Sequence, residues 1–393
     1  MSRQKTTAAH WVEYFLFRIF EGIFRLFSIE SVFSIGEFVG RLGHRLTPHY
    51  RRIVRRNLRI AYAGDKTATE IEELVQAVFE RNGANLFSSI RSVFLSDAEI
   101  RQRVHIEGLE HCRAAHEKND GVVLIIPHMG NWELIAQAPE LLGFPVKGGT
   151  FYRPFNNPLM NRLIEKRRQQ RGVRLFPKKS STHSMVNFLR EGGFLGILAD
   201  VRVGLRGEVY PFFDRLTTCS PLPRLLAQRS NAQIIGLTCL TIGRARWVLT
   251  FSPVEGTKTA ACVTTMENAY RSAPEDVFWF QDRWKLTPRQ SLKLPESEEE
   301  IPATTKNVRV LSLLSARDTD LFLPSRDGRR DLDIERAELS SHLDRQWLAS
   351  INDREMLPLD LILCYEENLT QVKKIARPLQ ITVTIPAHLV NNA

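Results

Sequence analysis

The stretch GVVLIIPHMGNWELIAQAPELL at residues 121–142 decides the fold of this 393-residue chain. Its first half is a short, continuous apolar run that ends at a proline, which is typical of a strand buried on both faces. Its second half has the apolar spacing of a helix, and Asn131 is suited to cap that helix at its N-terminus. A strand that leads through Gly130 into a helix predicts one unit of an α/β sheet.

Further strands and helices alternate along the chain. The predicted apolar strands lie at 173–176, 194–200, 233–242 and 246–254. The predicted helices lie at 156–171, 181–191, 220–230 and 264–272. This alternation predicts an α/β fold with a mixed central sheet flanked by helices.

Shifts in composition divide the chain, which is longer than one ordinary domain. An acidic stretch with prolines, PESEEEIPATT, predicts a linker. After it, strand-like runs at 308–314, 360–365 and 380–385 predict a small C-terminal α/β appendage. The predicted divisions are an aromatic and basic N-terminal segment (1–60), a main α/β domain (61–294), the linker (295–305) and the appendage (306–393).

The N-terminal segment combines large aromatic side chains with positive charge. Between Trp11 and Leu42, apolar residues recur at spacings of three or four, which is typical of an amphipathic helix. No apolar run approaches the roughly 20 residues needed to cross a bilayer. We therefore expect this helix to lie in a membrane interface, with the RRIVRR cluster (51–56) near lipid phosphates. A core helix and a tilted spanning helix are the alternatives.

Charge and cysteine content exclude several classes of protein. The net charge of +10 is concentrated in residues 1–60 and 153–179, which predicts anionic partners. No DNA- or RNA-binding signature accompanies these stretches, so no nucleic-acid partner is expected. The five cysteines include no CxxC pair, and a GxSxG elbow and an HExxH helix are both missing from the sequence. We expect no metal site and no cofactor.

His128 and Glu133 are the candidate catalytic pair. On one continuous helix, their separation would turn the side chains roughly 140° apart, at about 100° per residue, so they could not meet. They can meet only if His128 lies on the preceding loop, where Gly130 tolerates a tight turn. A carboxylate beside an imidazole orients it and stabilises the cation formed when it accepts a proton. His128 is therefore predicted to act as a general base oriented by Glu133.

The same spacing recurs at His105 and Glu110, in the segment HIEGLE. This copy lacks the preceding apolar strand and the Gly-Asn turn, so it is predicted to be a solvated surface. Spacing alone is therefore a weak signal, and the surrounding pattern carries the prediction for His128.

Five motifs in a fixed order carry a family resemblance: PHMGNWEL (127–134), FYRPFNNPLMNRLI (151–164), GILAD (196–200), VYPFFDR (209–215) and PEDVFWFQDRWK (274–285). Together they resemble the bacterial lipid A biosynthesis acyltransferases of the lauroyl and myristoyl type, within the lysophospholipid acyltransferase-like superfamily. The resemblance runs from about residue 11 to 290 and leaves the appendage outside it. It implies a glycerolipid acyltransferase-like fold and identifies residues 61–294 as the acyltransferase domain.

The resemblance also implies the reaction. A fatty acyl chain would move from an acyl carrier protein thioester, or from acyl-CoA, to a hydroxyl of a lipid A precursor in the membrane, without an acyl-enzyme intermediate. The backbone N–H groups of Gly130 and Asn131, and the side chain of Arg153, are candidate donors to the oxyanion. The candidate substrate-binding residues are Asn131, Arg153, Arg171 and Asp200, the last of which could instead be a simple strand cap.

Two other functions stay open on sequence grounds. One is acylation of another membrane glycolipid, such as a phosphoinositol mannoside, and the other is a catalytically decayed, membrane-bound interaction protein. The expected location is the cytoplasmic face of the inner membrane, with peripheral or single-helix attachment. The appendage could begin a nucleotide- or sugar-binding fold or cover a sheet edge, and we favour the second.

Overall fold

The computed structural model describes residues 6–170, 172–203, 207–286, 306–322, 331–338 and 343–386. The predicted linker at 295–305 and the candidate substrate-binding residue Arg171 lie outside the described residues. The strands are β1 (Val104–Glu107), β2 (Val122–Ile126), β3 (Gly148–Tyr152), β4 (Arg174–Pro177), β5 (Phe194–Leu198), β6 (Glu208–Phe212), β7 (Arg215–Cys219), β8 (Gln233–Gly243), β9 (Arg246–Pro253), β10 (Val308–Ser312), β11 (Leu332–Arg336), β12 (Leu359–Leu363) and β13 (Thr382–Thr384).

Helices alternate with these strands along most of the chain. The α-helices are α1 (Ala8–Arg25), α2 (Ile29–Leu46), α3 (Pro48–Tyr62), α4 (Ala68–Ser92), α5 (Asp97–Arg103), α6 (Leu109–Glu117), α7 (Pro158–Gln170), α8 (Thr182–Arg190), α9 (Leu222–Ser230), α10 (Thr259–Ser272), α11 (Ala316–Phe322), α12 (Arg345–Asp353) and α13 (Leu369–Ala376). Short 3-10 helices cover Trp132–Leu141, Pro274–Asp276, Glu366–Asn368 and Arg377–Leu379.

A seven-stranded mixed sheet forms the centre of the fold, in the order β1-β9-β8-β2-β5-β3-β4. Its strands are parallel except for the antiparallel pair β8–β9. All five residues of β2 are buried, because helices and loops cover both faces of this central strand. The predicted mixed central sheet flanked by helices is confirmed.

The strands that the sequence missed are short and carry weak apolar signals. β1 has the sequence VHIE and β3 has the sequence GGTFY, and the hairpin β6–β7 contains Pro211 and two adjacent threonines. The predicted strands at 173–176, 194–200, 233–242 and 246–254 are confirmed as β4, β5, β8 and β9. Long apolar runs therefore identified five of the seven strands of this sheet, whereas β1 and β3, which lack such runs, were missed.

A helix follows Asn131 as predicted, but the prediction that Asn131 caps it is wrong. The segment Trp132–Leu141 is a 3-10 helix. Pro139 lies within it, and a proline disfavours an α-helix interior because it has no N–H and its ring clashes with the carbonyl four residues earlier. The side-chain oxygen of Asn131 accepts no hydrogen bond from the described residues, so it caps nothing.

The predicted helix between residues 11 and 42 is two helices, α1 and α2. Large apolar side chains are exposed along α1, at Trp11, Val12, Phe15, Leu16, Ile19, Phe20 and Ile23. The opposite side of α1 contacts α7, where Arg167 donates to both oxygens of the buried Glu21 at 2.5 and 2.9 Å. Among the described residues, no helix combines the length and apolar character needed to cross a membrane.

The chain forms two compact units, each assembled from separate segments. The first unit comprises Met1–Gly43, Ala77–Asp200 and Pro221–Phe278, and it contains the seven-stranded sheet. The second comprises His44–Gln76, Val201–Ser220 and Trp279–Ala393. It contains the hairpin β6–β7 and a separate parallel sheet in the order β11-β10-β12-β13.

Within the second unit, part of the RRIVRR cluster and its neighbour Arg59 face inward. The buried guanidinium of Arg56 in α3 pairs with Asp360 in β12 and donates to the carbonyl of Leu359 at 2.8 Å. Arg59 donates to Asp353 at 2.8 Å. For Arg56, the expected position near lipid phosphates is wrong, because its charge is neutralised inside the unit.

Candidate active site

Two neighbouring parallel strands place the central residues of the site. β2 and β5 pair in register from Val122 and Phe194 to Ile126 and Leu198. His128 lies two residues beyond the end of β2, and Asp200 lies two residues beyond the end of β5. Since the carboxyl ends of parallel strands meet at one edge of a sheet, the two side chains are brought together although 72 residues separate them.

Asp200 holds both the ring and the backbone of His128. The Nδ1 atom of His128 lies 2.6 Å from Oδ1 of Asp200, and the backbone N–H of His128 donates to Oδ2 at 2.7 Å. The hydroxyl of Tyr270 in α10 donates to the same Oδ2 at 2.7 Å. The carboxylate of Asp200 is buried and has lost its water molecules, and these three hydrogen bonds replace the bonds to water.

The charges of His128 and Asp200 shift the pKa of each side chain. Burial raises the pKa of Asp200, but the charge and hydrogen bonds of His128 outweigh burial and lower it. Burial of the imidazole likewise opposes its charge, yet Asp200, with a smaller contribution from Glu133, raises the pKa of His128. An ionised Asp200 only accepts hydrogen bonds, so Nδ1 of neutral His128 carries the proton and Nε2 carries the lone pair. The side chain of His128 is 18% exposed.

Gly130 makes the turn that carries His128 off the strand. Its φ is +58°, and a Cβ atom there would lie 1.9 Å from the carbonyl oxygen of Cys239. Only glycine fits both the conformation and the space. The predicted role of Gly130 in a tight turn is confirmed.

Glu133 has a different partner from the one predicted. Arg168 of α7 donates through Nη2 to both carboxylate oxygens of Glu133, at 2.9 and 3.0 Å. Arg168 also lies over the ring of Tyr152, whose hydroxyl donates to Glu165. Glu133 therefore adds negative charge near His128, while Asp200 occupies the orienting position that the sequence assigned to Glu133.

The candidate substrate-binding residues Arg153, Asn131 and Asp200 differ in exposure and in contacts. Arg153 is exposed one residue beyond β3, at the same edge of the sheet as His128. Asn131 is 1% exposed, and its side-chain nitrogen and oxygen have no hydrogen-bond partner among the described residues. Asp200, which was predicted to bind substrate or to cap a strand, contacts His128.

The expected backbone donors to an oxyanion are already engaged. The N–H of Gly130 donates to the carbonyl of Asp276 at 2.9 Å, and the N–H of Asn131 donates to the thiol of Cys239. Neither is left for an oxyanion, so this expectation is wrong. Arg153 remains the candidate donor from the sequence, and Arg168 contacts Glu133.

The His105 copy of the motif forms no such site. His105 lies in the edge strand β1 and Glu110 in the first turn of α6, and both side chains are exposed. The sequence predicted no strand there, yet the predicted solvated surface is confirmed. What distinguishes His128 is a central strand whose neighbour supplies a carboxylate.

Sequence reasoning gave no indication of Tyr270. It identified Asp200 as a candidate site residue but did not predict its contact with His128. Asp200 stands two residues beyond β5, as His128 stands two residues beyond β2, but the predicted strand 194–200 included Asp200 and so hid this match. Tyr270 lies within α10, and nothing in its local sequence marks it.

Taken together, a histidine beside an ionised carboxylate at the carboxyl edge of an α/β sheet is an arrangement suited to accepting a proton from a hydroxyl. Residues 1–286 match the model of the family described as bacterial lipid A biosynthesis acyltransferase. The chain belongs to that family, and it is an acyltransferase.

Individual relatives agree with this assignment. The chain is similar to a lipid A biosynthesis palmitoleoyltransferase of Escherichia coli and a lipid A biosynthesis acyltransferase of Shigella flexneri. Each is 24% identical over 64% of this chain and 85% of the relative. It is also similar to a lipid A biosynthesis acyltransferase of Haemophilus influenzae, at 24% identity over 43% of this chain and 53% of the relative.

Proposed function

We propose that the protein transfers a fatty acyl chain from a thioester, carried by acyl carrier protein or by CoA, to a hydroxyl of a lipid A precursor. His128 is the general base of this reaction. The observation that supports it is the 2.6 Å contact between Nδ1 of His128 and the buried, ionised Asp200, which leaves the Nε2 lone pair to accept a proton.

The chemistry needs one proton acceptor and a good leaving group. Nε2 of His128 takes the hydroxyl proton while the hydroxyl oxygen attacks the acyl carbon, so a C–O bond forms. The C–S bond then breaks, and the sulfur leaves as a thiolate that can take the proton back from the imidazolium. A positioned base of this kind contributes about 10² to 10⁴ in rate. Asp200 and Glu133 stabilise the imidazolium by their negative charges.

Arginines near the pair suit the anionic parts of the substrates. Arg168 spans Glu133 and Tyr152, and Arg153 is exposed at the same edge of the sheet. Guanidinium groups bind phosphate and carboxylate oxygens through paired hydrogen bonds. We propose that these two side chains meet the phosphate of the acceptor or the oxyanion of the transition state.

The exposed face of α1 suits attachment to a membrane surface. Trp11, Phe15 and Ile19 lie on this face, and Arg18 and Arg25 of the same helix are exposed. We propose that the protein acts as a peripheral protein at the cytoplasmic face of the inner membrane, where its acceptor is embedded.

The test is acyl transfer by the purified protein from an acyl thioester to a lipid A precursor in mixed micelles. We expect His128→Ala to lose at least about 100-fold in kcat, because the base is removed. His105→Ala is the matched control, since His105 has the same spacing to a glutamate and an exposed side chain, and it should keep full activity. Full activity in His128→Ala would overturn the mechanism. Transfer only to a different glycolipid would overturn the acceptor.

A further inference from the structure

The turn that carries His128 is clamped by a second segment, residues 276–278. The N–H of Gly130 donates to the carbonyl of Asp276 at 2.9 Å, and Met129 forms an antiparallel bridge with Val277. The N–H of Phe278 donates to the carbonyl of His128 at 2.8 Å. Three consecutive residues of the turn are therefore fixed by three consecutive residues of this clamp segment.

The clamp segment is itself held by the side chain of Asp276, which is 1% exposed. Its Oδ1 accepts hydrogen bonds from the amide of Asn85 at 3.1 Å and from the hydroxyl of Thr241 at 2.7 Å. Its Oδ2 accepts from the backbone N–H of Thr241 at 2.7 Å. Both carboxylate oxygens are used, and they tie the segment to α4 and to β8.

Two asparagines one turn apart on α4 complete the support. Asn85 accepts from Nε1 of the buried Trp247 at 2.9 Å, which fixes the orientation of its amide so that the nitrogen faces Asp276. Asn82 donates to the backbone carbonyls of Val277 at 3.0 Å and Glu275 at 3.3 Å. The backbone of the clamp segment is thus held from the helix side as well.

We propose that Asp276 is a positioning residue for His128: through the clamp segment it fixes the turn that sets where Nε2 meets the acceptor hydroxyl. Asp200 fixes the rotation of the ring, whereas Asp276 fixes the backbone from which the ring projects. Displacement of a catalytic group by about 1 Å can cost about 100-fold in rate, so a remote network can control kcat. This inference rests on the proposed role of His128 as the base.

Asp276→Asn is the informative substitution because it preserves size. An amide has one oxygen, so its NH₂ group would face either the Asn85 nitrogen or the Thr241 N–H, and one donor would meet another donor. The matched control is Glu275→Gln, the same chemical change at the adjacent, partly exposed position. Glu275→Gln should keep the activity of the wild type.

Steady-state kinetics of the full chain give the readout. We expect Asp276→Asn to lower kcat about 10- to 100-fold with KM changed less than about twofold, since substrate contacts are untouched. The proton signal of His128 Nδ1–H, measured by NMR, should shift in Asp276→Asn and stay unchanged in Glu275→Gln. A folded Asp276→Asn protein with kcat reduced less than about fivefold, or with KM raised and kcat unchanged, overturns the inference.

If Asp276→Asn does not fold, Thr241→Val tests the same network by removing one hydroxyl. Thr241→Val deletes the 2.7 Å bond to Oδ1 but keeps the backbone N–H bond, so kcat should fall at least about threefold at unchanged KM. Unchanged kcat in Thr241→Val would then contradict the role of the network. Activity in His128→Ala would instead defeat the proposed function, so the two failures are distinguishable.

Discussion

At the scale of residues, the properties of the site come from one buried carboxylate that serves three donors. Asp200 accepts from the ring and backbone of His128 and from Tyr270. The carboxylate cannot rotate without losing at least one of these bonds. The imidazole therefore keeps one tautomer and one orientation, which a general base needs before substrate arrives.

Asp200→Asn should lower kcat by about 100-fold or more, because the amide no longer stabilises the imidazolium. It should also move the pH dependence. Activity requires neutral His128, so kcat/KM rises with pH through the pKa of His128, which Asp200 raises. Without the carboxylate, burial dominates and lowers that pKa, so the rise should move to lower pH. The pH profile of kcat/KM measures both effects.

The control for this substitution is Asp120→Asn. The carboxylate of Asp120 accepts a surface hydrogen bond from Gln233 at 3.1 Å, so its loss should leave the pH profile unchanged. A profile for Asp200→Asn that matched the wild type in height and midpoint would contradict the assigned role of Asp200.

Glu133→Gln should lower kcat less than Asp200→Asn does. Its charge contributes to the raised pKa of His128, but its two oxygens bond to Arg168 rather than to the imidazole. The same kinetic assay ranks the two variants. If Glu133→Gln were the more damaging, the orienting role would return to Glu133, as the spacing in the sequence predicted.

At the scale of elements, α1 has two different sides. One side is tied to α7 by the pair of Glu21 and Arg167, and the amide of Asn157, the residue before α7, donates to the carbonyl of His10 at 2.9 Å. The other side exposes large apolar side chains. α7 carries Arg168 next to Arg167, so the helix proposed to meet the membrane contacts the same helix that supplies an arginine to the site.

Phe15→Ser combined with Ile19→Ser should weaken binding to vesicles of anionic phospholipid. Each side chain would contribute about 1.5 to 3 kcal/mol when buried in the interface, so binding should fall at least about tenfold. Co-sedimentation with vesicles measures it. Ile242→Ser combined with Leu321→Ser is the control, because these residues are equally exposed but lie outside α1. Equal binding by both double variants would argue against α1 as the membrane-binding surface.

At the scale of the whole molecule, the C-terminal residues belong to a unit that also contains α3. Asp360 of β12 is buried against Arg56 of α3 and Arg215 of β7, and its other contact is the N–H of Arg309 at 3.0 Å. Among the described residues, the four-stranded parallel sheet shares no strand with the seven-stranded one. Residues outside the matched family segment thus neutralise arginines inside it.

Asp360→Asn should lower the free energy of unfolding by about 3 to 5 kcal/mol, because it removes a buried counter-charge that the guanidinium groups of Arg56 and Arg215 share. Urea denaturation followed by circular dichroism measures this loss. Asp353→Asn is the control: its carboxylate pairs with Arg59 but is 63% exposed, so about 0 to 1 kcal/mol is expected. Similar stability of the two variants would show that Arg56 and Arg215 do not depend on Asp360.

Sequence reasoning succeeded where the signal is local. The buried strands β2 and β5 and the turn at Gly130 follow from apolar runs and from the permissiveness of glycine. The partner of His128 did not follow, because Asp200 reaches it only through the pairing of β2 with β5. The inward-facing Arg56 was missed for the same reason, since its counter-charge lies 304 residues away.

We propose that His128 is the base that activates the lipid A hydroxyl for acylation. Mass spectrometry of lipid A tests this role in cells that lack this protein and in the same cells carrying either the wild-type chain or His128→Ala. We predict that the cells lacking the protein lose one acyl chain from lipid A, that the wild-type chain restores it, and that His128→Ala does not. Restoration by His128→Ala, or unaltered lipid A in cells lacking the protein, would contradict the account.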